Sequence, residues 1–293
     1  MIEEVRQLAR PFPDRATLES ALDTASRAPS SKNLQPWRWR VDDAGVHLYA
    51  DWRRRAGDAL VDRRDVLLGC GAVLDHCAMA LAATGWTPRI HRFPSGDHRS
   101  HLAVLEVLDE PPPASLLELA AAIPRRRSDR RPFTTPRSAG LVELLHVRAA
   151  RMGVELAVVP RLRWARLDDG GVELRYAGAA AEQSQTAVDD GVLLVLGTSN
   201  DDDPMRLRAG EVLSRVVLTC AAMDLASCPL TEPLNDGGRR LALACEVFDG
   251  DAHPQALIRI GLPASEDESP PLLPRRSVQE TTTWGEETAD PTE

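Results

Sequence analysis

Arg27-Ala28-Pro29-Ser30-Ser31-Lys32-Asn33-Leu34-Gln35-Pro36-Trp37 is the most informative stretch of the chain. Two prolines stiffen a loop that carries two serine hydroxyls and the side-chain amides of Asn33 and Gln35. Such a loop presents donors and acceptors to a polar ligand with little conformational entropy left to lose. The same residues also suit an ordinary turn, since proline, serine and asparagine are turn formers. Upstream, Leu18, Ala21, Leu22 and Ala25 share one helical face, so Ala16 to Arg27 reads as a helix. It is broken at Ala28-Pro29, because proline restricts the residue before it. Downstream, Trp37 to Val41 and Val46 to Ala50 read as strands around Asp42-Asp43-Ala44-Gly45.

The pattern then repeats in outline. A long helix from about Asp65 ends near Gly85, as helices often do, and strands follow at Thr87 to Phe93 and His101 to Leu108. Glu110-Pro111-Pro112-Pro113 is the best linker. Beyond it come helices at Ser115 to Ala122 and Leu141 to Met152, and a strand at Val154 to Val159. Gly191 to Thr198 is an apolar strand of the kind buried on both faces. A second long helix spans Arg206 to Met223, and a last strand Gln255 to Gly261. This is an α+β pattern of two similar halves, residues 1–113 and 114–280. Residues 281–293 form a polar tail expected to be disordered.

Composition narrows the function classes. The 293 residues carry a formal net charge of -9, which excludes general attraction to nucleic acid or to an anionic membrane. The N-terminus lacks an apolar signal core. The most apolar stretch, Val66 to Ala83, is interrupted by Asp75 and His76 and reads as a buried helix. Five cysteines without a CxxC pair suggest reduced thiols. The chain is therefore expected to be cytoplasmic. Cys228 has no evident histidine partner and reads as structural, as do His76 and His146. No metal site and no catalytic acid, base or nucleophile emerges.

Local basic clusters need a local explanation. Pro124-Arg125-Arg126-Arg127-Ser128-Asp129-Arg130-Arg131-Pro132-Phe133 suits a phosphate through bidentate, charge-assisted bonds, or is a solvated linker. Pro274-Arg275-Arg276 suits the same phosphate, or is a basic end. Taken together, RAPSSKNLQPW, RRRSDRRPF and PRRSVQE resemble the flavin-binding signatures of the nitroreductase family, and in their order its actinobacterial Acg-type branch. In that branch two nitroreductase-like halves are fused in one chain, an internal pseudo-dimer. The resemblance continues through LLGCGAVLDHCAMALAATGW, LRAGEVLSRVVLTCAAMDLASCPLT and QALIRIGLP.

That resemblance implies FMN. Arg126, Arg127, Ser128 and Arg130 would meet its phosphate and ribityl chain, and Arg275 with Arg276 would complete the cage. Pro29, Ser30, Ser31 and Asn33 would line the flavin, with Gln35 supporting the loop. The backbone of Ser227, Cys228, Pro229 and Leu230 would face the ring. Each signature occurs in one half only, so one FMN per chain is expected, between the halves. The implied activity is transfer from NAD(P)H to a quinone or nitro-compound acceptor by a monomer or homodimer. The alternative is FMN storage without turnover.

Two departures from the family pattern stand out. Asp224 occupies a helix end where glycine is usual. Val159 to Gly191 is shorter than the lid of Acg-type relatives, which implies a more open flavin face, weaker FMN retention and easier turnover.

Overall fold

Asp14 starts the first helix: its carboxylate accepts from the Thr17 amide at 2.8 Å, the usual N-cap bond. Helix α1 (Arg15–Ala25) buries Leu18, Ala21, Leu22 and Ala25, the face expected from their spacing. The computed structural model describes residues 11–55, 60–96, 99–136, 140–175, 189–263 and 270–285. After α1 come β1 (Trp37–Asp42), β2 (Gly45–Ala50), the long α2 (Leu60–Ala83), β3 (Thr87–Arg92) and β4 (His101–Leu108). Along β1 buried and half-buried residues alternate, with Trp39 opposite Leu48 and Val41 opposite Val46 on β2. That alternation is what one face packed on a core requires.

The rest of the chain runs through α3 (Ala114–Ala120), β5 (Phe133–Thr134), α4 (Leu141–Ala150), β6 (Glu155–Val158), β7 (Trp164–Arg166), β8 (Val172–Leu174), β9 (Val192–Thr198), α5 (Asp203–Ala222), β10 (Ala226–Leu230), α6 (Gly237–Phe248), β11 (His253–Pro263), α7 (Val278–Thr281) and β12 (Thr282–Trp284). Two sheets result, ordered β12-β1-β2-β4-β3 and β10-β11-β9-β6, with β5 paired to the end of β11. Strands β7 and β8 form a separate hairpin. Helix α5 ends before Asp224, which adopts the left-handed conformation (φ 56) that glycine usually supplies at such ends.

The tail expectation is corrected at its start. Thr281 closes α7, whose N-cap Ser277 and Glu280 form a reciprocal capping box. Strand β12 then runs parallel to β1, Trp39 opposite Thr282 and Val41 opposite Trp284. A polar strand at a sheet edge is set by the partner's exposed hydrogen-bonding groups rather than by its own hydropathy. The remaining tail residues, 286–293, lie outside the described residues.

Helices α2 and α5 cross at very close range. A Cβ on Gly71 would collide with the Leu207 carbonyl, and one on Gly210 with the Leu68 carbonyl. Two glycines thus remove the side chains that would hold the helices at ordinary separation. By length and composition alone α2 could cross a membrane, yet 94% of its apolar window is buried within the protein. Beside the crossing, Ser214 donates to Asp75 at 2.7 Å and Arg215 pairs with Asp75 at 3.0 Å. His76 Nδ1 lies 2.9 Å from the Ser214 hydroxyl and 3.0 Å from the Ala72 carbonyl. With the Ser214 proton on Asp75, this network assigns the imidazole proton to Nδ1. His76 Nε2 is buried with no partner among the described residues.

Substituting Gly71 or Gly210 with alanine is expected to cost at least about 1–3 kcal/mol, since overpacked cores must shift backbone. A urea midpoint unchanged in both variants would contradict the crossing geometry.

Burial, reinforced by Arg126, pushes the His76 pKa down to about 3, so the fold holds the ring neutral. Its contribution is present above the ordinary histidine pKa and is lost as pH falls from about 6.5 toward 3. The slope is at most about 1.4 kcal/mol per pH unit. Asp75 is pushed up to about 6 by burial, against the pull of Arg215. Its contribution has the opposite sense: present below about 3.8 and lost as pH rises through 6. Comparison of the native chain with His76→Gln between pH 6.5 and 4 isolates the first effect. Identical acid slopes would refute it.

Candidate functional site

The loop 27–37 leaves α1 in an unusual conformation. Lys32, Asn33 and Gln35 all have left-handed φ angles of 48, 56 and 50°, which L-residues adopt at a cost of about 1–3 kcal/mol each in strained settings. The surroundings hold them there. The Ser30 hydroxyl accepts from the Gln35 amide at 3.0 Å, and the Gln35 side chain donates to the Asn33 carbonyl at 3.2 Å. From the far end of the chain, the Arg276 amide donates to Gln35 Oε1 at 2.8 Å, and its guanidinium reaches the Gln35 and Trp37 carbonyls, both at 3.2 Å. Asn33 donates to the Pro274 carbonyl at 3.0 Å and accepts from Arg275 at 2.8 Å.

The basic loop is fixed from below. Ser128 makes a parallel bridge to Ser227 at the head of β10, and the Asp129 amide donates to the Ser227 carbonyl at 2.9 Å. Arg259, fully buried on β11, donates to the Asp129 and Arg131 carbonyls at 3.3 and 2.8 Å. Its own charge is matched by fully buried Asp189, and its guanidinium lies 4.3 Å from the Phe133 ring centroid. The β7–β8 turn presses against the same loop: a Cβ on Gly170 would collide with Arg130. Trp164 on β7 is buried in the core under the second sheet. Residues 176–188, the middle of the segment expected to lack a lid, lie outside the described residues, Tyr176 among them.

These supports surround a cavity of about 550 Å³, within the usual size of a small-molecule site. Pro29, Ser30, Ser31 and Asn33 line it from the first loop, Arg126, Arg127, Ser128 and Arg130 from the basic loop, Cys228 and Pro229 from β10, and Arg275 from the strap after β11. Four other expected residues are not in the lining. Gln35 and Arg276 brace the loop, while Ser227 and Leu230 are buried within β10. Leu68 and Gly69 of α2 and Leu213 of α5 form part of the wall. Pattern reading does not single these out, because only the helix crossing brings them together. Asp65, Thr231, Glu232, Arg27 and Lys32 also line the cavity without having been assigned a role.

The electrostatics are lopsided. Arg126 is 6% exposed, donates to the Arg27 carbonyl at 2.9 Å, and keeps a buried Nε without a partner. Burial first, and then Arg275, Arg127 and Arg27, push its pKa down to about 9. Arginine stays protonated in proteins, so this shift reflects mainly the cost of burying the charge, with repulsion from the neighbouring guanidiniums second. Arg275 is depressed by burial and then by Arg27 and Arg127, and its Nε is likewise buried and unpartnered. Across the cavity, burial raises the Asp65 carboxyl, opposed by Arg64 and by bonds from Ser31 and Thr231. Burial pushes the Cys228 thiol up to about 11, which leaves it protonated and a poor nucleophile. No group of three or more His, Cys, Asp or Glu residues able to hold a metal occurs among the described residues.

A family model described as "Nitroreductase family" matches residues 5–86. The Mycobacterium tuberculosis (strain H37Rv) protein "Putative NAD(P)H nitroreductase Rv3131" is 39% identical over an alignment covering 94% of this chain and 94% of that protein. The chain belongs to the nitroreductase family. A second M. tuberculosis nitroreductase of the same description, acg, is 34% identical over 90% of this chain and 94% of its own length. Among solved nitroreductase structures, "a putative nitroreductase from anabaena variabilis" aligns over 87% of this chain and 90% of its own, with TM-score 0.54 and 12% identity. At that identity the likeness concerns the fold.

The buried Arg259–Asp189 pair makes the family's basic loop sensitive to core substitutions. Asp189→Asn, which strands both Arg259 and Arg166 (3.6 Å from the same carboxylate), is expected to destabilise the protein by about 3–5 kcal/mol, and Arg259→Leu, which leaves Asp189 with Arg166, by less. A chemical denaturation shift below about 1 kcal/mol in both variants would show that the pair does not carry the loop.

Proposed function

We propose that this chain is an FMN-dependent oxidoreductase that uses NAD(P)H to reduce a quinone or nitro compound, with one FMN per polypeptide in the cavity described. The observation that carries the reading is the pair of buried, unpartnered Nε atoms on Arg126 and Arg275, in a cluster whose main influences are burial and other arginines. A buried cation without a counter-charge is costly, and a phosphate monoester supplies both the missing charge and the missing acceptors. The fit is therefore good at the phosphate end.

Arg126 and Arg275 would hold that phosphate, with Ser128 and Arg130 beside it. Ser30, Ser31 and Asn33, fixed in their strained loop, would meet the ribityl hydroxyls, and the Cys228–Pro229 backbone would face the ring. Bound there, FMN supplies the two-electron chemistry. The protein's part is to orient the ring, to leave room for a second ligand, and to aim donors where negative charge develops. That division of labour requires no nucleophile and no Ser–His–Asp triad from the protein. The same reading places the protein in the cytoplasm as a monomer or homodimer.

The test begins with FMN titration of the purified chain, followed by quenching of flavin fluorescence. Saturation near one FMN per chain is expected. Arg126→Ala and Arg275→Ala should each weaken binding roughly 10- to 100-fold, from the loss of a charged hydrogen bond of about 1.5–3 kcal/mol. A chain that takes up no FMN, or variants that bind as well as the native protein, would overturn the assignment. Anaerobic addition of NADPH and then NADH should bleach the visible flavin band. A bound flavin that stays oxidised with both would point instead to FMN storage.

A further inference from the structure

The cavity holds more positive charge than one phosphate monoester neutralises. Arg27, Arg126, Arg127 and Arg275 lie within electrostatic reach of one another, whereas a phosphate monoester carries about -1.5 to -2 at neutral pH. Most cations around the cavity already have partners. Arg130 faces Glu232 at 3.6 Å, Arg131 pairs with Asp129 at 2.8 Å, and Arg127 donates to the Pro124 and Arg126 carbonyls at 2.7 and 2.9 Å.

Two cations stand apart. Arg27 offers its carbonyl to Arg126 and Arg275, but its guanidinium has no hydrogen bond or ion pair among the described residues. Lys32 is likewise unpartnered among them, and it is the sole lysine of the chain. It projects from the left-handed turn of the strained loop (φ 48). Both residues line the cavity, and both are more accessible to solvent than buried Arg126.

We propose that Arg27 and Lys32 form a second phosphate subsite, which takes a phosphate of the nicotinamide dinucleotide after the first phosphate is occupied. This rests on the FMN reading above. A guanidinium fork and an ammonium lining one cavity match a terminal phosphate better than a bridging one, because a terminal phosphate has more unshared oxygens and more charge. The adenosine 2′-phosphate of NADPH has that form, whereas both NADPH and NADH carry the bridging diphosphate. The structure therefore favours NADPH.

The experiment uses the full chain loaded with FMN and titrated by calorimetry with NADP⁺, NAD⁺ and 2′,5′-ADP, so that no turnover is needed. NADP⁺ is expected to bind about tenfold or more tightly than NAD⁺. Arg27→Gln and Lys32→Gln should each remove most of that difference while FMN stays bound, and Arg27→Lys should restore part of it. NADP⁺ should also slow acylation of Lys32, read on the single lysine-containing peptide. A loss confined to NADP⁺ and 2′,5′-ADP assigns the subsite to the 2′-phosphate. An equal loss for NADP⁺ and NAD⁺ assigns it to the diphosphate. Unchanged binding of all three in both variants would refute the proposal, as would loss of FMN itself from Arg27→Gln. A native chain that never takes up FMN overturns the parent reading; one that loads FMN yet shows no dependence on these residues overturns only this inference.

Discussion

The close crossing of α2 and α5 at Gly71 and Gly210 is the constraint on which the rest of the structure depends. Because backbone meets backbone there, the sheets on either side are drawn around one central pair of helices. The crossing also decides where the site lies. Leu68, whose carbonyl faces Gly210, lines the cavity, as do Gly69 on the same turn of α2 and Leu213 one turn along α5. The cavity wall is thus the flank of the most tightly packed contact in the core. Rigid elements of this kind hold a ligand site more accurately than loops alone.

Onto that flank the fold brings cations that would separate if free to move. Arg126 is held by its bond to the Arg27 carbonyl, and Arg275 by Asn33. The basic loop beneath is tied to β10 and to the buried Arg259–Asp189 pair. Arg126 and Arg275 themselves are held by backbone carbonyls, a hydroxyl and a neutral amide. None of them is a carboxylate that would cancel the charge. The result is a preorganised cationic cavity whose cost was met when the chain folded.

Much of this was legible in the sequence, and the reasons differ by element. The 3.6-residue spacing in α1 and the apolar runs of α2 and β9 identify themselves, since packing alone dictates them. The loop 27–37 and the basic loop were legible as motifs. Helix α6 was not foreseen: it opens on Gly237-Gly238, poor helix formers, and is announced only by the Asp236 cap. Strand β12 was hidden by its polarity. Within the site, adjacent arginines part company, Arg275 into the cavity and Arg276 onto the loop backbone, and nothing in their identity foretells which goes where. Asp65 and Leu213 sit on helices far apart in sequence, so their meeting at one cavity is information that only the tertiary fold contains.

The strap carrying Arg275 has a temporal consequence. Asn33 and Arg275 are 242 residues apart in sequence, and the strap is pinned in place by α7 and by β12 on the edge of the first sheet. During synthesis the first loop, the helix crossing and the basic loop can all form while the ribosome still holds the strap. The cavity receives its Arg275 wall only after residues up to Trp284 have emerged. Completion of the arginine cluster therefore waits on the strap, and a chain cut short before it lacks both Arg275 and the strand that would hold it.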